Sequence, residues 1–280
     1  MDPKTLLKGC FINIDKPEGP TSHAVDEWVM NILKVDKAGH FGTLDPMITG
    51  VLLVAVGKAT RMLQYLKSGK EYVGIMHFHE DVDPKKVEKA INEKFLGTIT
   101  QLPPVKSRVK REERERDIYE FKILEHEDRD YLFYVKCEAG TYIRKLVHDL
   151  GEHLKISAHM TELRRTRAGL FDESNLVTLN ELSEAFEVYE KSKIPSKLMK
   201  LLIPMEDVIK QNLNSIEVKK DSLPRLRNGS PVFAYNLKKK PEEIELGEKV
   251  AVFCEGQLIE IAEVVYDGSI FAKPETVFIQ

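Results

Sequence analysis

The stretch Gly39-His40-Phe41-Gly42-Thr43-Leu44-Asp45-Pro46-Met47-Ile48-Thr49-Gly50 sets one carboxylate among three glycines and a proline. Glycine permits tight turns, and proline fixes its own backbone angle. Asp45 precedes Pro46, so its backbone is steered away from helix. A carboxylate held on such a loop can attack an electrophile, take a proton or hold charge. It can equally cap its own loop as an Asx-turn, and spacing alone does not separate these readings. His40 lies in the same stretch, where a loop-ordering role is expected.

Arg144 stands in Glu138-Ala139-Gly140-Thr141-Tyr142-Ile143-Arg144, at an expected helix start, and Tyr72 in Lys70-Glu71-Tyr72. Taken singly, Arg144 reads as a solvated helix residue and Tyr72 as a strand residue on a core face. Lys106, Arg108, Lys110, Arg111, Arg114 and Arg116 form one basic cluster, diluted by Glu112, Glu113 and Glu115. Arg164, Arg165 and Arg167 form a second. Both suit an RNA backbone, although the first could be a solvated loop and the second could pair with acids inside the fold. His77 and His79 stand two apart, but no ligand set completes a metal site around them.

These residues need a scaffold. Cys10, Ile12 and Ile14 alternate as in a strand, which Lys16-Pro17-Glu18-Gly19-Pro20 ends with a turn. Thr21 or Ser22 then caps a helix with an apolar stripe of Val25, Trp28, Val29, Ile32 and Leu33. Val51 to Val56 is a continuous apolar run, expected of a strand buried on both faces. Asp83 and Pro84 start a helix. Residues 121–124 and 131–137 read as a hairpin, followed by a helix carrying Ile143, Leu146, Val147, Leu150 and Leu154. Thr178 and Glu181 form a capping box for another helix. Residues 191–204 lack apolar periodicity and read as a linker. Beyond it, short apolar runs at 232–235, 249–253 and 258–265, punctuated by glycines, suggest a small barrel-like module.

The 280 residues allow one large domain, or a large and a small one, with a core that needs no disulfides. Three distant cysteines, Cys10, Cys137 and Cys254, read as reduced buried thiols in a cytoplasmic protein. Met1 to Lys8 has no apolar segment of the secretory kind, and no apolar run is long enough to span a bilayer. The formal charge of −3 comes from 42 basic and 45 acidic residues, of which residues 211–280 hold 9 and 11. Neither part is basic as a whole, so an RNA surface has to come from local clusters.

Taken together, the motifs resemble the TruB/dyskerin family of RNA pseudouridine synthases. Gly39 to Gly50, followed by Lys58-Ala59-Thr60-Arg61, resembles the family's catalytic-aspartate motif. Lys16 to His23, Lys70 to Tyr72, and Glu138 to Arg144 with Asp149-Leu150-Gly151 resemble three more, in the same order. Ala158 to Arg167 is similar to the archaeal, dyskerin-like form. Five ordered matches carry more weight than one.

The resemblance implies an α+β fold. A mixed, mostly antiparallel central sheet flanked by helices would occupy residues 1–210, with a small β-barrel PUA domain at 211–280. It implies Asp45 as nucleophile, Arg144 as its cation and Tyr72 as the ring that stacks on the target base. Tyr142, Leu163 and His40 would line the substrate pocket. Lys16, Lys106, Arg108, Lys110, Arg164 and Arg165 would contact RNA. Isomerising uridine to pseudouridine needs no redox step, so no cofactor and no metal are expected. The resemblance further implies a box H/ACA guide RNA, rRNA or tRNA targets, and small accessory proteins on the catalytic domain. A stand-alone enzyme for the tRNA T-loop is the alternative of the same chemistry; a non-catalytic RNA-binding scaffold is the alternative of another class. Dyskerin-like proteins usually carry a longer N-terminal extension packed on the PUA domain than the roughly nine residues before the first strand here.

Overall fold

The computed structural model describes residues 2–103, 110–239 and 244–278. Lys106 and Arg108 lie outside them. The strands are β1 (Gly9–Lys16), β2 (Ala38–His40), β3 (Thr49–Gly57), β4 (Lys70–Phe78), β5 (Gly97–Gln101), β6 (Arg114–Glu127), β7 (Asp130–Cys137), β8 (Ala158–Ala168), β9 (Phe171–Asp172) and β10 (Ile203–Pro204), then β11 (Asn214–Glu217), β12 (Val232–Phe233), β13 (Lys249–Cys254), β14 (Gln257–Asp267) and β15 (Ile270–Val277). The helices are α1 (Pro3–Leu6), α2 (Ser22–Leu33), α3 (Pro84–Lys94), α4 (Ile143–Leu154), α5 (Leu179–Ser192), α6 (Ser196–Leu201), α7 (Met205–Asn212) and α8 (Leu223–Leu226). None is long and apolar enough to cross a membrane.

The first ten strands form one mixed sheet, ordered β10-β1-β3-β8-β4-β7-β6-β5, with β2 on β3 and β9 on β8. Its pairs are antiparallel except β3 with β8. The last five strands form a second sheet, ordered β11-β13-β14-β15-β12. Two strands of that sheet, β11 and β15, were not expected from the apolar runs.

Val51 to Val56 is buried on both faces, and the reason is visible. Ile12, Ile14, Leu52, Val54 and Val56 pack with Val25, Val29 and Leu182 from α2 and α5. Phe11, Leu53 and Ala55 pack on the other side with Ala251, Phe253, Leu258 and Ile261 of the second sheet. The continuous apolar run therefore serves two cores at once. The helix starts follow the expected chemistry. Thr21 accepts from the Ala24 N–H, Asp83 caps α3, and Thr178 with Glu181 makes a reciprocal capping box. The hairpin turn sits at Asp128 and Arg129, with Asp128 at φ 50°.

Two expectations need correction. Trp28 is not on the core stripe of α2 but is 44% exposed. Residues 191–204 are not a plain linker. They contain α6, with Leu198 buried, and β10, which pairs with β1 through Cys10 and Phe11. A six-residue helix and a two-residue strand are too short to show a period.

Candidate active site

Asp45 stands where two buried anchors leave it no room to turn inward. Leu44 and Ile48 are packed in the core on either side. The Ile48 N–H donates to the Asp45 carbonyl at 3.0 Å, which closes a tight turn. Gly42 and Gly50, at φ 78° and 97°, bend the chain at the two ends. Gly50 has a second reason to lack a side chain, because a Cβ there would clash with the Arg165 carbonyl across the β3–β8 pair.

The loop is held from both flanks. On one side, Ser22 of α2 donates to the Leu44 carbonyl at 2.9 Å and accepts from the Leu44 N–H at 2.8 Å. On the other, the Lys16 ammonium donates to the carbonyls of Pro17, Pro46 and Ile48 at 2.9–3.0 Å. Lys16 is fully buried, so it is not the RNA contact expected of it. Its three hydrogen bonds fix the backbone on the far side of Asp45. Burial lowers its pKa, while the Asp45 charge acts in the opposite direction.

Arg144 meets Asp45 across this loop, its Nη2 in an ion pair with Asp45 Oδ2. The side chains are 58% and 54% exposed, so the pair faces an open surface. Arg144 is the second residue of α4, whose stripe Ile143, Leu146, Val147 and Leu150 is buried. The start of α4 is itself clamped. The Tyr142 N–H donates to Gln101 Oε1 at 3.0 Å, and Gln101 Nε2 donates back to the Tyr142 carbonyl at 3.2 Å. Gln101 is buried at the end of β5. A cation in the first turn of a helix is mildly unfavourable, and the Asp45 anion offsets it. Tyr142 is half-buried beside them.

Beneath the loop lies a layer of buried cations that spacing did not reveal. Tyr72 and Arg165 are cross-strand partners on β4 and β8. Burial raises the Tyr72 pKa, and Arg165 pulls it down. Arg165 is almost wholly buried and donates through Nε to the Val51 carbonyl at 2.8 Å, so it too cannot reach RNA. Lys70, two residues before Tyr72 on the same face of β4, sits 3.6 Å over the Phe41 ring. Burial and, next, Arg165 push the Lys70 ammonium down to about 7. Gly42 is where the Asp45 loop approaches both, since a Cβ there would lie 3.1 Å from Lys70 Cε and 3.4 Å from Arg165 Nη1.

The remaining candidates divide. Leu163 is buried against Gly74 on β4. His40 is not open to RNA, because Nδ1 contacts Asp26 at 2.6 Å and Nε2 contacts Thr43 at 2.9 Å. Arg164 is paired with Asp15 at 3.0 Å and Glu173 at 2.6 Å, which leaves it little charge for a phosphate. Lys110 is exposed, with Glu112 at 2.8 Å. Arg114 and Arg116 belong to β6 rather than to a loop.

The arrangement is an anion on a rigid loop, an opposing guanidinium at a helix start, and an aromatic residue between buried cations. It suits attack on an electron-poor carbon. Comparison with known proteins gives it a family. The N-terminal domain of the TruB family pseudouridylate synthases matches residues 30–143. The tRNA pseudouridylate synthase B C-terminal domain matches residues 144–210. The chain belongs to the TruB family. A probable tRNA pseudouridine synthase B from Methanopyrus kandleri is 47% identical over 249 residues, covering 89% of this chain and 73% of its own length. Another, from Methanothermobacter thermautotrophicus, is 39% identical and covers 96% and 86%. A chain in a Cbf5–Nop10–Gar1 complex superposes with a TM-score of 0.89 at 38% identity, over 100% of this chain and 88% of its own. A chain in an H/ACA RNP bound to a substrate RNA containing 2'-deoxyuridine gives 0.88 at 36%, over 100% and 88%. This TruB-family enzyme is a pseudouridine synthase, an isomerase, with the α+β fold and C-terminal module of the Cbf5 structures.

Proposed function

We propose that this enzyme is the catalytic subunit of a guide-dependent RNA pseudouridine synthase, with Asp45 as its nucleophile. The observation that carries the nucleophile assignment is the Asp45–Arg144 pair, open to solvent above a buried floor. Support for the guided mode comes from superposition of the whole chain on the Cbf5 chains of complexes with Nop10, Gar1 and RNA.

The chemistry fits the residues. The uridine leaves its stack to reach Asp45 on the open surface, which removes the obstacle of the helix. The Asp45 carboxylate adds to the ribose or the base. The bond from C1' to N1 breaks, the base turns, C1' joins C5, and the bond to Asp45 breaks to return the free carboxylate. The proton on C5 leaves and N1 gains one, so no atom is lost. Arg144 orients the carboxylate and balances its charge. Tyr72 supplies an apolar wall for the base, with Arg165 opposite it on β8. No step transfers electrons between the protein and the substrate.

In this reading the RNA backbone runs over exposed basic residues such as Lys110, the guide selects the uridine by pairing, and small accessory proteins dock on the first sheet's domain. The names of the archaeal relatives favour a second reading, stand-alone action on tRNA. One assay separates them. The protein is mixed with C5-tritiated tRNA alone, or with guide RNA, accessory proteins and a complementary target. Efficient tritium release only in the second mixture is expected. Equal release from tRNA alone would transfer the enzyme to the stand-alone class.

A further inference from the structure

His40 lies 2.6 Å through Nδ1 from Asp26 Oδ2 and 2.9 Å through Nε2 from Thr43 Oγ1. The Asp26 and His40 side chains are both more than nine-tenths buried. A carboxylate only accepts, so Nδ1 carries the proton, and in that tautomer Nε2 accepts from the Thr43 hydroxyl. The chain of bonds runs from α2, through β2, to a loop residue two positions before Asp45. Ser22 and Asp26 are one turn apart on the same face of α2. One grips Leu44 and the other reaches Thr43 through the imidazole. The nucleophile's neighbours on the N-terminal side are thus both fixed from a single helix face.

We propose that Asp26 is a positioning residue for catalysis: it sets the His40 tautomer and, through Thr43, holds the Asp45 loop in its reactive geometry. The position is a costly one for a residue with a purely structural role. Asp26 is buried, and its second oxygen, Oδ1, has no hydrogen-bond partner. A buried acceptor without a partner costs free energy that a purely structural residue would not need to incur. His23 stands at 3.9 Å from Asp26 and edge-on to His40, exposed to solvent. His23, Asp26 and His40 could together face one metal ion. The 2.6 Å contact favours a proton between Asp26 and His40 instead, since an ion at about 2.0 Å from each ligand would hold the two atoms further apart.

This inference rests on Asp45 as the reacting group, and its test separates the two. Asp26→Ala and Asp26→Asn are compared with the wild type by single-turnover tritium release from an RNA that the wild type modifies, by RNA affinity, by melting, and by ¹⁵N NMR of the His40 ring. Asp26→Ala is expected to slow release by about 10-fold or more, as a loop misplaced by a fraction of an ångström would. RNA affinity should stay within twofold, and the loss of rate should persist at temperatures well below the variant's melting transition. The Nδ1–H signature should weaken, and Asp26→Asn, which keeps an acceptor, should restore most of the rate. In a Thr43→Val background Asp26→Ala should add little. A full rate in Asp26→Ala would overturn the proposal. So would a loss that tracks melting and is not rescued by Asn. Activation of the wild type by one equivalent of zinc, absent in Asp26→Asn, would replace the relay by a metal site. The NMR result stands whatever the role of Asp45.

Discussion

Asp45 and Arg144 are each more than half exposed, so their ion pair adds only about 0–1 kcal/mol to folding. Stability does not explain why the pair is held so firmly from behind. Lys16, Ser22 and Gln101 are buried and spend their hydrogen bonds on the two backbone segments that carry it. Such preorganisation has value when a reacting atom must be placed within a fraction of an ångström. Arg144→Gln shortens the side chain and removes the charge that meets Asp45. It is expected to cut single-turnover tritium release by about 100-fold. A melting curve should show its midpoint moved by no more than about 2 °C. A large fall in melting temperature would mean that the pair holds the fold instead.

At the scale of elements, the sequence announced those features that rest on local chemistry. Thr21, Asp83 and the Thr178–Glu181 box cap their helices as their types require. The glycines around Asp45 bend the loop as expected. The Asp45–Arg144 meeting was accessible only through the ordered motifs, because 99 residues separate the two and no period links them. Burial was the weak point. Lys16 and Arg165 carry full charges and read as RNA contacts, yet both lie inside. Lys16 is satisfied there by the carbonyl of its neighbour Pro17 and by two, of Pro46 and Ile48, from a loop distant in sequence. Arg165 donates to the Val51 carbonyl and stands opposite Tyr72 across strand pairs whose register could not be foreseen. Gln101 and Asp26 carried no signal at all, since each acts on a partner brought near by tertiary packing. The short α6 and β10 escaped because two to six residues cannot display a repeat.

At the scale of the molecule, both sheets share one apolar cluster. Phe11, Leu53, Met62, Ile209, Phe253 and Phe278 meet between them, and Lys58 donates to the Phe278 carbonyl at 2.9 Å. The second sheet therefore braces the back of β1 and β3, the strands that start and end beside the Asp45 loop. Glu260 in β14 is fully buried, and neither carboxylate oxygen has a partner. Burial pushes its pKa from 4.5 up to about 8. The folded state then keeps a proton that the unfolded chain gives up, so this group's contribution is fully present below pH 4.5 and is lost as pH rises through 8. Lys70 acts in a later window. Its pKa is lowered from 10.5 to about 7, so the unfolded chain binds the extra proton and stability rises with pH between those values. Melting curves from pH 5 to 8 should show a decline in the wild type that Glu260→Gln flattens. An unchanged slope in that variant would place the titration elsewhere.

The reaction itself offers the sharpest test. In Asp45→Asn the side chain keeps its size and place but no longer carries the anion. With an RNA tritiated at C5 of the target uridine, we predict no release of tritium above background, with RNA affinity within a few-fold of the wild type. Release at the wild-type rate would contradict the assignment of Asp45 as the nucleophile.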